Sequence, residues 1–440
     1  MSAAVAERGL HRTLGFGFGV AVGVGAMVGV GVLRSPGLIA GHAPDVFLIA
    51  ALWTLGGLHA LLDANVLAEL AVLYPRAGGP YVYARQAFGG FGGLIVGWTD
   101  WLNNTSGVAV LSVGAAEFAS TLYPLLGGYI TPTALALQLL FYAVNLRGVR
   151  QGALVQNTTS LVKMALLFAI IGAIFFVAPH AQTAPAVQPV SLAGAVLAYT
   201  LVVGAYSGWN APAYFAEEKT NPAKQVPRAL FMGVGLVASL YVLFNLALAR
   251  VLPLAELRAT PLPAADAMRG MFGAGAGSLV AAVAILTALS CLNGGIMMAS
   301  RVLFGLSRDR LFLPAGRRVN VGGTPWAAML VTALFSALIA ATGTFETIFL
   351  MVGIFVVTVN VLMTASLFRL RFRDAGAERR YRARFYPVLP LVALALDSSL
   401  LMAFLLTNPR GALFGGSLIL VAVPVWLVLL RLRRAKEAAT

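Results

Sequence analysis

Charged residues are scarce in this sequence. They make up 11% of the 440 residues, whereas 59% are hydrophobic and the mean hydropathy is +0.86. An ordinary soluble domain has about 25% charged residues. Apolar runs of about 20 residues, which is long enough to cross a bilayer, recur along the whole chain. These properties exclude a large soluble domain and predict an all-helical membrane protein with many spans.

Cysteine and the usual signatures of enzymes are also missing. The one cysteine, Cys291, lies in an apolar run and has no partner for an internal disulfide. The four histidines show none of the spacings typical of metal ligands. The motifs of zinc proteases, lipases and P-loop proteins do not occur. We therefore predict no metal, no cofactor and no enzymatic activity.

Positive charge, in contrast, is in excess, with 31 lysines and arginines against 16 acidic residues. We place helices at 14–40, 44–70, 88–120, 131–147, 153–178, 192–216, 229–251, 276–306, 325–342, 345–368, 386–407 and 411–430. Most basic residues then fall in the termini and in alternate loops, and few fall on the opposite side: Arg34, Arg250, Arg258, Arg269 and Arg410. The positive-inside rule places both termini in the cytoplasm of a cell that holds this protein in its cytoplasmic membrane. This distribution favours a bilayer and not nucleic acid as the partner.

Glycines interrupt two of these helices. The first is weakened between Gly25 and Gly31, where each glycine costs roughly 1 kcal/mol relative to alanine. The sixth is weakened around Gly208. Hydrocarbon offers no water to pair backbone groups, so a break in a span exposes backbone that a ligand can bind. Two interrupted helices at matching positions indicate a transporter built from inverted repeats, with its site near the bilayer midplane.

The breaks suit a zwitterion. Free N–H groups at the start of a half-helix favour a carboxylate, and carbonyls at the end of one favour an ammonium group. The segment assigned to the carboxylate is Gly29, Val30 and Gly31. The segment assigned to the amino group is Tyr206, Ser207 and Gly208. For the glycines of the first helix, close helix packing is the alternative explanation.

Several motifs occur together in order along residues 15–315. After the second helix stand Glu69, Pro75, Arg76, Gly78, Gly79, Tyr81 and Tyr83, then Phe88-Gly89 and Gly97-Trp98. Before them stands Gly29-Val30-Gly31. Further along are Tyr206-Ser207-Gly208-Trp209-Asn210, Glu217-Glu218-Lys219-Thr220-Asn221-Pro222, and Ser290-Cys291-Leu292-Asn293-Gly294. This set resembles the amino acid–polyamine–organocation (APC) superfamily, and most closely the prokaryotic relatives of the L-type amino acid transporters. We expect Arg76, Tyr81 and Tyr83 to form a belt at the level of the lipid headgroups.

The resemblance implies an architecture and leaves one expected feature missing. It implies about twelve spans in a 5+5 inverted repeat followed by two further helices. The expected segments are an N-terminus at 1–13, repeats at 14–178 and 192–368, two helices within 386–430 and a tail at 431–440. Members of the family commonly place a bulky aromatic gate before the sixth-helix motif. Gly204 and Ala205 stand there in this chain, so this role is absent or moves to Tyr206.

Lys163 is the one basic residue predicted within a span. An ionisable group there is functional by default, although a lysine that snorkels to the interface is the alternative. The resemblance implies that the ammonium takes the place of a sodium ion between helices 1, 5 and 8. The groups expected around it are Gly25, Ala26 and Ser290. Transport would then be sodium-independent, either coupled to protons or an exchange.

Other polar residues in the spans are less informative. Arg34 lies beyond the first break and is a candidate external gate that pairs with Glu346, a candidate substrate contact, or a plain interfacial residue. One of Asn103 and Asn104 is expected to line the pocket. Four acids fall within the spans, and the sequence assigns none of them a role: Asp63, Asp100, Glu117 and Asp397.

Together these observations predict a secondary transporter that carries amino acids by alternating access. Three alternatives remain: a carrier of polyamines or other organic cations on the same scaffold, a membrane-embedded enzyme, and a channel. In the L-type group a cysteine near the loop after the third helix links a partner subunit. This chain has tyrosine, proline and glycine there. The sequence therefore argues against a covalently linked partner.

Overall fold

The computed structural model describes residues 9–43, 45–177, 191–260, 262–342 and 345–437. Within these ranges the chain is almost entirely helical, and the one β-type pairing is an isolated bridge between Leu14 and Lys219. The helices are α1 (Phe16–Met27), α2 (Val30–Ala40), α3 (Val46–Leu73), α4 (Pro80–Leu122), α5 (Ile130–Arg147), α6 (Val149–Phe175), α7 (Leu192–Ala205), α8 (Ala211–Tyr214), α9 (Pro222–Val251), α10 (Leu254–Ala259), α11 (Pro263–Phe272), α12 (Ala274–Arg308), α13 (Trp326–Thr342), α14 (Phe345–Arg373), α15 (Val388–Thr407), α16 (Pro409–Leu420) and α17 (Ala422–Glu437).

The helices of the described ranges account for the predicted spans. Nine segments are long and apolar enough to cross a membrane: α3, α4, α5, α6, α9, α12, α14, α15 and the joined α16 and α17. The bent pair α1 and α2 forms a tenth, and α7 and α13 are shorter apolar helices. The prediction of an all-helical membrane protein with about twelve spans is therefore confirmed. The boundaries of the two repeats stay a prediction.

Two short helices lie where a loop was predicted between the seventh and eighth spans. Helices α10 and α11 are six and ten residues long, shorter than a membrane span, so a search for spans leaves them in a loop. They cover the end of α2, because the Arg258 guanidinium donates to the carbonyls of Ala40 at 2.6 Å and Ala43 at 3.1 Å. Arg258 thereby pairs carbonyl groups that a helix end leaves open.

The turn after α3 is shorter than predicted, and Tyr81 and Tyr83 belong to the helix that follows it. Helix α4 begins at Pro80 and bends at Gly89, whose φ of +79° lies in the region that favours glycine. Tyr81 and Tyr83 are fully buried, so the prediction of a headgroup belt was wrong for them. The reason is packing of α4 against α12, where the Tyr81 hydroxyl donates to Asp309 at 2.6 Å.

Packing in the centre of the bundle encloses the first helix. Helix α1 contacts α6, α9 and α12, while α4 packs along α12 and α14. At the end of the bundle predicted to be cytoplasmic, ion pairs tie the segment after α8 to α12. Arg301 donates to both carboxylate oxygens of Glu218, at 2.5 and 2.9 Å, and Arg308 donates to Glu217 at 2.6 Å. The region below the breaks is thus closed by charged contacts.

Candidate functional site

The first helix is broken at Val28 and Gly29. Val28 has a ψ of 84° and Gly29 is extended, with φ −109° and ψ −163°, and the axes of α1 and α2 differ by 40°. Val30 and Gly31 therefore belong to the first turn of α2, where N–H groups have no acceptor within the helix. The predicted segment Gly29–Gly31 thus stands at a half-helix N-terminus. The break lies within the stretch Gly25–Gly31 in which the sequence predicted it.

The sixth helix is broken between Ala205 and Ala211, and this break touches the first one. Gly208 has a φ of +96°, and a Cβ there would lie 2.8 Å from the backbone carbonyl of Ala26. A Cβ on Gly31 would lie 3.5 Å from Cα of Ala205. Only glycine at 208 permits this close backbone approach with that φ. The two breaks, far apart in sequence, therefore form one locus.

Tyr241 of α9 joins the two breaks and was not identified from the sequence. Its buried hydroxyl oxygen lies 2.8 Å from the carbonyl oxygen of Met27 and 3.0 Å from that of Ala205. Both carbonyls belong to the last residue of a half-helix. A buried tyrosine hydroxyl needs a hydrogen-bond partner, so a tyrosine within an apolar span was the available signal.

The side chain of Tyr206 points away from the breaks. Its hydroxyl donates to the carbonyl of Trp53 in α3 at 2.9 Å, and its ring packs 4.9 Å from that of Tyr241. The residue is 1% exposed. The ring is held between α3 and α9, so Tyr206 offers the break its backbone, as predicted for Ser207 and Gly208. This placement does not favour the aromatic gate considered for Tyr206.

Lys163 of α6 is bound to the broken first helix. Its Nζ donates to the carbonyl of Gly25 at 2.8 Å and to that of Val28 at 2.7 Å. The residue is fully buried, which argues against a lysine that snorkels to the interface. Its third neighbour is the Cys291 thiol, with Sγ 3.8 Å away.

Ser290, the residue before Cys291 in α12, faces α6. Its hydroxyl lies 3.0 Å from that of Thr159 and 3.5 Å from that of Ser160. The thiol of Cys291 also approaches the carbonyl of Ala26, with 3.5 Å between sulfur and oxygen. Of the groups expected around the ammonium, Gly25 accepts from it directly, together with Val28. Ala26 contacts the Cys291 thiol and Ser290 contacts α6, so their roles at the ammonium stay a prediction.

A polar network on α6 and α12 holds α1 in place. A Cβ on Gly25 would collide with the side chains of Gln156 and Ser160, so α1 lies directly against α6 here. The Ser160 hydroxyl donates to the carbonyl of Ala21 at 2.8 Å, and the Asn293 amide donates to Gln156 Oε1 at 2.9 Å. The ammonium of Lys163 is thus part of a connected, buried arrangement.

Asn104 links α4 to the second half of the sixth helix. Its amide donates to Asp100 Oδ1 at 3.1 Å, and the Tyr214 hydroxyl of α8 donates to the same oxygen at 2.7 Å. Asn103 is partly exposed beside it. The pair therefore lies next to α8, the element that follows the break. Which of the two contacts the substrate stays a prediction.

Arg34 on α2 contacts α4. Its guanidinium lies 3.3 Å from Glu117 and 5.3 Å from the centre of the Phe118 ring, with about a quarter of each charged side chain exposed, 27% and 29%. The Glu346 side chain lies outside the described residues, so the predicted Arg34–Glu346 pair stays untested. Glu117, which the sequence left without a role, is the acidic partner that the structure provides.

The sequence of the chain matches a known family and several characterised proteins. A family model described as amino acid permease matches residues 14–429. The serine/threonine exchanger SteT of Bacillus subtilis (strain 168) is 27% identical over 435 residues, which cover 96% of this chain and 97% of that protein.

Two mammalian proteins are similar over most of the chain. The large neutral amino acids transporter small subunit 2 of Mus musculus is 27% identical over 412 residues, covering 90% of this chain and 77% of that protein. The Asc-type amino acid transporter 1 of Homo sapiens is 26% identical over 413 residues, covering 90% and 78%. These matches are to amino acid transporters, and the two broken helices at the centre of the bundle are consistent with such a protein.

Proposed function

This chain belongs to the amino acid permease family, and on that premise we propose that it exchanges neutral amino acids across the cytoplasmic membrane without sodium. Transport of amino acids through a helical membrane protein is the activity that family membership gives. Beyond this activity we propose that transport is an exchange, that the substrates have neutral side chains, and that the protein lies in the cytoplasmic membrane with both termini in the cytoplasm. In this function the protein makes and breaks no covalent bond in its substrate.

The single observation that carries the proposal is the position of Lys163. Its ammonium donates to the carbonyls of Gly25 and Val28 at the end of α1. Carbonyl oxygens at the end of a half-helix are the groups that coordinate a sodium ion in transporters with broken helices. Here they already accept from a fixed cation. A sodium ion at this position would meet positive charge within a low-dielectric interior, which is strongly unfavourable.

The preference for a neutral amino acid follows from what the two breaks offer. The first turn of α2 provides N–H groups for a carboxylate. The turn after Ala205 provides carbonyls for an amino group. Neither segment 25–31 nor segment 204–210 contains a charged residue. The charges of an amino acid backbone are matched here, and an additional charge on its side chain is not.

The name of one relative supports exchange, and the name of another supports neutral substrates. One is named a serine/threonine exchanger and another a transporter of large neutral amino acids. With the basic residues distributed as described, we place both termini in the cytoplasm. For the polyamine alternative, several acids should face the breaks, and segments 25–31 and 204–210 contain none.

The proposal is tested by counterflow in proteoliposomes. Purified protein is reconstituted with or without unlabelled serine inside, and uptake of labelled serine, threonine, alanine, leucine, glutamate, lysine and putrescine is followed. We expect uptake of neutral amino acids only when internal amino acid is present, at the same rate in sodium and in choline. Uptake that requires sodium, or preferential uptake of putrescine, would contradict the proposal.

A further inference from the structure

Three ionisable side chains meet in the interior, away from the breaks. His59 and Asp63 lie one turn apart on α3, and Asp397 lies in the middle of α15. His59 Nε2 is 3.3 Å from Asp397 Oδ1 and 3.8 Å from Asp63 Oδ2. All three residues are at most 2% exposed. We call these three residues the acid–histidine cluster.

Hydrogen bonding in this cluster is incomplete. His59 Nδ1 lies 2.9 Å from the Tyr199 hydroxyl, and the Asn360 amide donates to Asp63 Oδ2 at 3.4 Å. Among the described residues, none makes a hydrogen bond with suitable geometry to His59 Nε2, Asp63 Oδ1 or either carboxylate oxygen of Asp397. Buried polar atoms are satisfied in the great majority of cases, and an exception needs an explanation. The shortage here is of hydrogens, because most of these orphan atoms are carboxylate oxygens.

The net charge of the cluster also indicates that a proton is missing. Among the described residues, no lysine or arginine lies within ion-pair distance of Asp63 or Asp397. The groups that face the cluster are Tyr199 from α7 and Asn360 from α14, and neither is a cation. Even with a positive imidazole, two carboxylates leave one negative charge. Two carboxylates that share a buried site cannot both ionise without a neutralising cation.

A single bound proton removes both the excess negative charge and the lack of a hydrogen-bond donor. Bound to one carboxyl group, it makes the cluster neutral when His59 is positive, and it supplies a donor for an orphan oxygen. A metal ion would find three donor atoms here within 4.8 Å of one another. A closed structural site for zinc uses four. A metal ion would need a further ligand, whereas a proton needs only the groups already present among the described residues.

Tyr199 connects the cluster to the substrate site. It belongs to α7, about two turns before the helix ends at Ala205, and its ring stacks on that of His59 with 6.1 Å between centres. Helix α7 is one half of the broken sixth helix. A change of charge at His59 would therefore act on the element whose end forms the second break.

We propose that His59, Asp63 and Asp397 form a proton-binding site separate from the substrate site, and that a proton bound there holds α15 against α3, the helix to which α7 is attached through Tyr199 and His59. Release of this proton leaves two carboxylates that repel each other across the α3–α15 contact. The attachment of α7 through Tyr199 then changes with pH. The binding of the proton stands independently, whereas its effect on transport rests on the proposed exchange function.

Proton binding is measured directly by infrared difference spectroscopy on the full-length purified protein, between acidic and alkaline samples. We expect the carbonyl stretch of a buried protonated carboxyl group to be present at acidic pH and lost at alkaline pH. Asp397→Asn should abolish this band, and Asp63→Asn should abolish or shift it. The exposed Glu378, which is 86% accessible and paired with Arg380 at 3.7 Å, provides the matched control Glu378→Gln.

Three results would overturn the proposal. The first is a wild-type protein without a titrating band of this kind, a result that does not depend on whether the variants fold. The second is persistence of the band in folded Asp397→Asn, which would assign it to another group. The third comes from elemental analysis: metal bound at one equivalent, together with a fall in thermal stability on adding a chelator.

The effect on transport is measured by serine counterflow with the same pH on both sides of the proteoliposome membrane. We expect a several-fold change in wild-type rate across the pH range in which the infrared band titrates. The change should be lost in Asp397→Asn and kept in Glu378→Gln. A titrating band without any amino acid counterflow would leave the proton site standing and remove the proposed function. Counterflow whose pH profile is the same in Asp397→Asn would remove the coupling.

Discussion

The Nζ atom of Lys163 lies 2.7 Å from the carbonyl oxygen of Val28, the residue at which α1 stops and the first break begins. One lysine on α6 thereby donates to carbonyls at a helix end inside the membrane, where the Cys291 thiol is the other donor. This relationship stabilises the break, and in the proposed function the ammonium takes the position that a sodium ion would occupy. Both consequences can be measured.

Replacing the ammonium should impair exchange. Lys163→Met leaves the carbonyls of Gly25 and Val28 with only the weak Cys291 thiol as a donor, 2.8 and 3.2 Å away. We expect this to cost about 1–3 kcal/mol, and a change of that size in the transport barrier lowers the rate roughly 5- to 150-fold. Counterflow of serine in proteoliposomes measures this. The matched control is Lys224→Met, since Lys224 is an exposed lysine at the start of α9. Wild-type rates in Lys163→Met would contradict the role given to the ammonium.

A methyl group at Gly208 should separate the two breaks. Its Cβ would lie 2.8 Å from the backbone carbonyl of Ala26, and the φ of +96° disfavours a side chain in any case. We expect Gly208→Ala to lose roughly 1–3 kcal/mol of stability. Thermal unfolding in detergent, with and without a transported amino acid, measures the change.

The control for Gly208 is a glycine with room for a methyl group. Gly235 in α9 has no atom within 4 Å of its added Cβ. Gly235→Ala should therefore leave stability unchanged or raise it by up to about 1 kcal/mol, because alanine is the better helix former. Equal behaviour of the two variants would show that the close approach at Gly208 is not required.

Loss of the buried ion pair between Arg301 and Glu218 should lower the stability of the protein. Arg301 and Glu218 are 1% and 0% exposed, and the guanidinium also lies 4.5 Å from the centre of the Phe215 ring. Glu218→Gln leaves Arg301 buried without its counter-charge, at a cost of about 3–5 kcal/mol. The same substitution at exposed Glu378 should cost no more than about 1 kcal/mol. Thermal unfolding of both proteins gives the comparison.

Lys219 should make stability depend on alkaline pH. This residue lies in the segment between α8 and α9, and burial lowers the pKa of its ammonium to about 8. An unfolded lysine has a pKa of about 10.4, so the unfolded chain binds more protons between these values. Stability should therefore rise with pH from about 8 to about 10.4, because the folded chain is relieved of a buried charge.

The corresponding variant is Lys219→Met. The cost of the buried charge is fully present below pH 8 and amounts to up to about 3 kcal/mol. We expect the variant to be more stable than the wild type at pH 7 and to show a flatter profile in thermal unfolding above pH 8. Destabilisation at pH 7 would mean that the contact of Nζ with the carbonyl of Gly15, at 3.3 Å, outweighs the cost of burial.

Most of the architecture was predictable because the bilayer imposes it. Apolar runs of span length, glycine interruptions and the distribution of arginine and lysine are one-dimensional patterns, and they predicted the helices and both breaks. The prediction failed where packing decides: Tyr81 and Tyr83 were expected at the headgroups and are buried, Tyr81 against α12. The short helices α10 and α11 were left in a loop because they are shorter than a membrane span.

The candidate site was predictable in its backbone and less so in its side chains. Lys163 stands out because a charge in a span is expensive, and Gly29 and Gly208 because glycine weakens helices. Tyr241, which bridges the two breaks, resembles any other tyrosine in an apolar helix. The signal for His59 and Asp63 was their spacing of four residues on one helix face.

What the sequence determined by itself is a membrane protein with about twelve predicted spans, two breaks and one lysine within a span, because hydrophobicity, charge and glycine act locally. The tertiary structure decided which groups meet. It placed Lys163 on the carbonyls of Gly25 and Val28, and it brought Asp397 to His59 across 338 positions of sequence. Such contacts depend on how helices pack in three dimensions, and no periodicity along a single helix encodes them.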